Sequence, residues 1–431
     1  MKNPDSSSAR PKGTDSAASV AATASVSDKA GWKGKSRWSV IAAYSLLAAA
    51  TQLLWVTYTP ITTASAAAWG VSVDAVGWLA QVFPLLYIVL ALPFGYWADR
   101  RFKHSLAAGA LATAAGALLR LVPGYSWALA GQIVVSIGQP LVLNAVNKLA
   151  GLYAEPSKRS AAIAAGTASL FVGILVSTVS APWLLEWGGL SSVHRVQAAI
   201  AVAAGGAMLW ALRIPALYSE TAVPASAFAA VRSVWSQPWV RLYGLILFAG
   251  FGMFVTITTW LEVLSLPVGI GSKEVGIGIG AMTLAGILGA ALLPGWASSG
   301  SRARLTLLAS LLMSAAALAA LAWGPPLWLF IVLFAAAGFL LLASLPVILS
   351  SAESRAPLNE AGTIAGLLLL FGNLGGVVLT VAAQLLLGRR LAAIGLLIAV
   401  VLLALPVAWR FPRGADGAQA ASPDASSSGG S

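Results

Sequence analysis

A few polar side chains set in apolar runs carry whatever chemistry this chain can perform. Glu262 stands in one such run, with Thr258 and Phe254 before it at four-residue spacing, so that on a helix all three share one face. A carboxylate carried into hydrocarbon is costly and is a functional candidate by default. An aromatic ring, a hydroxyl and a carboxylate in one stripe suit a cationic or amine-bearing solute, and Glu262 could equally carry a coupling proton. The opposing reading puts Glu262 about 31 Å along its helix from Arg241, where it simply meets water at the outer membrane face.

Trp55 has Thr51 and Thr59 four residues to either side, a second partly polar stripe. Gln132 and Gln139 are seven residues apart and share a face, with Pro140 beside them to loosen the backbone. Buried amides need partners, so these two either bind solute or tie their helix to a neighbour. Asn144, Asn147 and Lys148 follow as gate or interface groups. There is no cysteine and only His104 and His194, which excludes a disulfide framework and leaves no histidine or thiolate metal cluster. With neither paired acids at catalytic depth nor a nucleophile beside a base, no enzyme activity and no cofactor are expected.

The elements that must position these residues follow from composition. Hydrophobic residues make up 58% of the 431 positions and charged ones 9%, far from the roughly 25% charged usage of soluble domains. Apolar runs long enough to cross about 30 Å of hydrocarbon recur along the chain. They predict spans near 38–62, 74–97, 105–122, 127–149, 159–184 and 193–212, then 239–266, 274–296, 305–323, 327–349, 362–387 and 391–409. The expected fold class is an all-α membrane protein of twelve transmembrane helices in two six-helix pseudo-symmetric halves. The expected domains are a disordered basic tail (1–37), an N-terminal bundle (38–213), a central loop (214–238), a C-terminal bundle (239–411) and a disordered tail (412–431).

Placing both termini in the cytoplasm puts 21 of the 26 Lys and Arg inside and leaves Arg120, Arg195, Lys273, Arg389 and Arg390 in outer loops, the bias that sets orientation in a cell membrane. The net charge of +12 is spread over short loops, so no nucleic acid partner is expected. The expected partners are the lipid bilayer and a small-molecule substrate, and the expected state is a monomer. Glycines at 276, 278, 280, 286 and 289 lie in apolar helix, where helix packing is their natural role.

Between the second and third spans stands Gly95-Tyr96-Trp97-Ala98-Asp99-Arg100-Arg101-Phe102-Lys103. It resembles the signature of the major facilitator superfamily, a Gly followed after three residues by Asp, Arg and a further basic residue. The resemblance implies two halves rocking about a central site. Gly95 would let two helices approach, and Asp99, Arg100 and Lys103 would form a conformational latch at the inner membrane edge. The equivalent place in the second half keeps Gly295, Arg302 and Arg304 but has Ser299 for the acid, which predicts an asymmetric latch.

A closer resemblance, to the carriers related to the feline leukaemia virus subgroup C receptor, rests on Arg37-Trp38, Trp55, Pro60-Ile61-Thr62, Gly70-Val71-Ser72-Val73, Trp78-Leu79, Tyr87, Pro93, Asp99, Gly131-Gln132, Gln139-Pro140, Lys148-Leu149-Ala150 and Arg159. In the second half it thins to Glu360, Thr363 and Gly366-Leu367-Leu368. That family is associated with choline, ethanolamine and haem, and surrounds a quaternary ammonium with an aromatic cage and amides. Carried over residue by residue, Trp55 matches the cage tryptophan and Asn373 stands where the family has a glutamine. Ser169 replaces another glutamine and Phe254 replaces a cage tyrosine. The resemblance implies Trp55, Ser169, Phe254 and Asn373 at a site for an amine or organic cation, without fixing choline; with Thr59, Gln139, Thr258 and Glu262 from the polar stripes above they make up the expected substrate site. A proton-coupled exporter of drugs or metabolites fits the same residues. A transporter-like sensor is a third reading.

Overall fold

A computed structural model describes residues 36–218, 234–297, 300–353, 355 and 361–412. The expected tails at 1–35 and 413–431 and most of the central loop lie outside these residues. Within them the chain is helical almost throughout. The first half contains α1 (Trp38–Trp55), α2 (Thr62–Trp69), α3 (Val73–Arg100), α4 (Phe102–Leu119), α5 (Tyr125–Leu143), α6 (Val146–Tyr153) and α7 (Arg159–Ala211). The second contains α8 (Pro238–Ser265), α9 (Ser272–Trp296), α10 (Gly300–Trp323), α11 (Leu327–Glu353), α12 (Ala361–Gln384) and α13 (Arg390–Trp409).

Among the described residues ten stretches are long and apolar enough to cross a membrane; one of them is double, and a further helix brings the spans to twelve. The 53-residue α7 would extend about 80 Å if straight, but Gly188 and Gly189 leave helical geometry, Gly189 at φ +65°. Gln197 Nε2 lies 3.4 Å from Ser177 Oγ, twenty residues back, a contact that only an antiparallel hairpin allows. So α7 is two spans. The 18-residue α4 supplies the twelfth. In hydrocarbon nothing forces helices together through hydrophobicity, and small residues carry the contacts. A Cβ at Gly286 would press on Gly338 O, and a Cβ at Gly109 on Val142 and Gly138 O.

One end of the molecule carries Arg100, Lys103, Arg213, Arg302 and Arg410 and is called here the basic end; the far end is opposite. The halves meet at the far end. Trp260 of α8 lies against Gly77 of α3, Gly276 of α9 against Thr178 O and Pro182 of α7, and Gly280 against Val179 and Leu175. Lys273 pairs with Glu186 at 2.5 Å, and Gln81 Nε2 donates to Gln384 Oε1 at 2.7 Å. Towards the basic end the first half keeps a core of its own, built on Tyr44, Phe102, Leu149, Tyr153 and Met208, to which none of the described second-half residues belongs. Five glycines of α9 divide by face: 276 and 280 meet α7, while 278, 286 and 289 meet Phe330, Gly338, Leu342 and Phe339 of α11.

Three expectations need correction. The first span does not end near Thr62: it runs on to Trp69 through a break. Pro60 has no N–H to donate to Val56 O, so α1 stops at Trp55, a 3-10 turn covers Thr59–Ile61, and α2 resumes at Thr62. Thr59 is therefore not one helical turn above Trp55. The fourth span likewise divides at Asn144 and Ala145, four residues after Pro140. Arg120, expected in an outer loop, is only 1% exposed. It follows the last turn of α4, and its side chain turns inward to the carbonyls left open where α1 breaks.

Candidate functional site

The last carbonyls of a helix have no partner within it, and a break inside a membrane makes that an acute problem. At the end of α1 each is met by a side chain. Leu53 O accepts from Ser177 Oγ at 2.8 Å, Leu54 O from Arg120 Nη2 at 2.9 Å, and Trp55 O from Gln132 Nε2 at 3.5 Å. Arg120 also donates to Thr57 Oγ1 at 3.1 Å and to Gln132 Oε1, and lies 5.6 Å from the centre of the Tyr58 ring. Thr57 in turn donates to Gln197 Oε1 at 2.7 Å. A cation at a helix C-terminus is favourably placed against the macrodipole.

This network fixes Trp55. Its indole N–H donates to Ala80 O at 2.7 Å, and its ring meets Phe83 edge-on at 5.0 Å. Phe83 meets Tyr87 at 5.7 Å, whose hydroxyl donates to Asn144 Oδ1 at 3.1 Å. The resulting aromatic wall joins Phe254 and Met253 of the second half in one buried cluster. Thr59 is buried and donates to Val56 O.

On α8, Phe254, Thr258 and Glu262 do share a face of one unbroken helix, and all are buried. Glu262 is 0% exposed. Its carboxylate accepts from Thr63 N at 3.3 Å, from Thr63 Oγ1 and from Ser272 Oγ at 3.1 Å. It thus reaches across to the other half. Among the described residues Thr258 Oγ1 has no partner, nor has Gln139 Oε1, although Gln139 Nε2 donates to Thr51 O at 3.1 Å. Both span-four glutamines therefore tie their helix to the first span, while Gln139 keeps an acceptor free. Asn373 donates to Leu369 O at 2.9 Å and Ser169 to Gly166 O at 2.7 Å, each within its own helix.

The Gly95-to-Lys103 segment is helical except at Arg101, where α3 passes into α4, and its described contacts stay within the first half. A Cβ at Gly95 would meet only Asn144 Nδ2, at an ordinary 3.8 Å, so close approach is not what this glycine serves in this arrangement. Arg100 lies over the Tyr96 ring at 4.3 Å. Lys103 Nζ donates to Leu212 O and Ile214 O at 3.0 and 3.3 Å, closing the carbonyl end of α7. The Asp99 side chain, Ser299, Glu360 and the Thr363 side chain lie outside the described residues.

Sequence reasoning missed Arg120, Phe83 and the pair of Tyr58 with His194, whose Nε2 lies 3.0 Å from the tyrosine oxygen. Trp69 stacks on that histidine at 6.2 Å. The available signal was a basic residue directly after an apolar run, together with Pro60 inside the first span.

Comparison with known proteins now bears on this geometry. The family model of the Major Facilitator Superfamily matches residues 39–380. Solute carrier family 49 member A3 of Danio rerio is 27% identical over 267 residues, 56% of this chain and 54% of that protein. The protein of the same name from Xenopus tropicalis is 25% identical over 242 residues, 49% and 48% of the two chains. The chain thus spans about half the length of these relatives. The crystal structure of a bacterial homologue of the human lysosomal transporter Spinster, in an inward-facing and unoccupied conformation, superposes with a TM-score of 0.65 at 17% identity, over 88% of this chain and 97% of that one.

Proposed function

The chain belongs to the major facilitator superfamily, and from that premise we propose that it is a secondary transporter which moves a small amine or organic cation across a cell membrane by alternating access. The observation that supports this most is the pair of buried acceptors without partners on opposite halves, Gln139 Oε1 and Thr258 Oγ1. Thr258 shares α8 with Phe254, Gln139 donates to Thr51 O on α1, the helix of Trp55, and Trp55, Phe83 and Phe254 belong to one buried cluster. Buried polar atoms are normally satisfied, and a solute with N–H or O–H donors and a cationic head would satisfy these while resting on the aromatic faces. Asn373, Ser169 and Thr59 complete the proposed substrate site. The residue matches of the first half, and the half-length likeness to solute carrier family 49 proteins, point to the receptor-related carriers named above.

With the basic end in the cytoplasm, where the positive-inside rule puts it, the joined far end is the outer one and this arrangement faces inward. Asp99, Arg100 and Lys103 would then latch the inner edge in the opposite state. No covalent chemistry is required, and one chain in the bilayer contains both halves of the cycle. A ligand panel read by thermal shift, followed by uptake into proteoliposomes, tests the substrate class. Quaternary ammonium compounds and primary amines should stabilise the protein and compete for uptake. Stabilisation by anionic ligands alone would refute the cation reading. A second reading, proton coupling, is favoured by one fact: among the described residues the Glu262 carboxylate is met by neutral donors.

A further inference from the structure

The break in the first span leaves two helix ends facing each other, the carbonyl end of α1 and the amide end of α2. Each carries the charge that its dipole favours. Arg120 meets the carbonyl end through Leu54 O. Glu262 meets the amide end through Thr63 N, the second residue of α2. The two caps differ in origin. Arg120 belongs to the same half as the break and is held there by Gln132 and Thr57. Glu262 belongs to the other half and can cap α2 only while the far ends of the halves are together.

The geometry points to Glu262 as a capping group in trans: its carboxylate closes the amide end of α2 and thereby latches the far end shut, while Arg120 holds the carbonyl end of α1, and with it Trp55, in every state. Opening the far end withdraws Glu262 from Thr63 and leaves one end of the break uncapped. The latch therefore favours the far-end-closed state through charge on a helix end as well as through contact. Lys273 with Glu186, exposed by 31% and 59%, is a weaker clasp because water screens it.

This inference rests on alternating access but not on any substrate, and its test needs none. The natural chain has no cysteine, so Val122→Cys in the first half and Gly388→Cys in the second can carry spin labels at the far end of the full-length protein in nanodiscs. Distances between them by double electron–electron resonance report the two states. Glu262→Ala should raise the long-distance population at least about fivefold, the lower end of ordinary coupling energies. Glu262→Gln, which keeps an acceptor oxygen but not the charge, should give a smaller rise, and Thr63→Val, which removes the hydroxyl donor, should do the same if Glu262→Ala does not fold. Arg120→Gln should leave the distances unchanged and instead raise amide exchange over residues 52–62. Unchanged distances in Glu262→Ala and Thr63→Val would overturn the latch. A shift in Arg120→Gln equal to that in Glu262→Ala would overturn the division of roles. Failure of every amine in uptake would refute the substrate reading and leave these outcomes untouched.

Discussion

Gly276 gives the sharpest handle on how the halves move. A Cβ there would stand 2.5 Å from Thr178 O and 3.1 Å from Pro182 Cγ, and a backbone carbonyl in a helix cannot step aside as a flexible side chain can. Overpacking of this kind costs about 1–3 kcal/mol. The clash lies between halves, so parting the far ends relieves it and the cost falls on the far-end-closed state alone. Gly276→Ala should therefore shift the balance between the states by roughly 5- to 150-fold, read as growth of the long-distance population between labels at Val122→Cys and Gly388→Cys. Gly278 supplies the control. Its Cβ would meet Phe330 of α11, inside the second half, where rocking gives no relief. Gly278→Ala should lower thermal stability without changing the distance distribution. If both substitutions shift the distribution, or neither does, the far-end contacts are not the surface on which the halves part.

Further outcomes follow from the same geometry. Arg120→Ala removes the donors to Leu54 O and Gln132 Oε1 and should destabilise the protein by about 2–4 kcal/mol in equilibrium unfolding, with Arg120→Lys intermediate; a loss under about 1 kcal/mol would show that the break needs no cation. Trp55→Leu should weaken binding of a quaternary ammonium ligand by about thirtyfold, the equivalent of about 2 kcal/mol for a desolvated cation–π contact, and unchanged titration calorimetry would remove Trp55 from the site. Lys273→Ala, at a solvent-exposed pair, should change unfolding stability by no more than about 1 kcal/mol. If an imposed pH gradient stimulates uptake, Glu262→Gln should abolish that stimulation, and stimulation that survives would take Glu262 out of coupling.

The span count was legible because apolar runs and turn residues are local. Glu262 was legible as an acid among apolar neighbours, but its partner Thr63 lies 199 positions away, and no local pattern reports such a contact. Arg120 was misread for the same reason: in sequence it closes an apolar run like any loop residue, and only the open carbonyls of α1, 66 positions earlier, explain why it is buried. Thr59 looked aligned with Trp55 because a continuous helix was assumed. Pro60 was visible, and its missing N–H is the physical reason the alignment fails. Gly276 and Gly278 were both legible as packing residues, yet which half each one touches is a property of the assembled bundle.

Purified protein reconstituted into liposomes, supplied with a radiolabelled quaternary ammonium or ethanolamine, tests the central claim most directly. Saturable uptake, competed by unlabelled amines and lost in Trp55→Leu, is the result predicted for a carrier with an aromatic site between its halves. Uptake no greater than in protein-free liposomes for every amine tried, with robust uptake of an anionic solute, would contradict it.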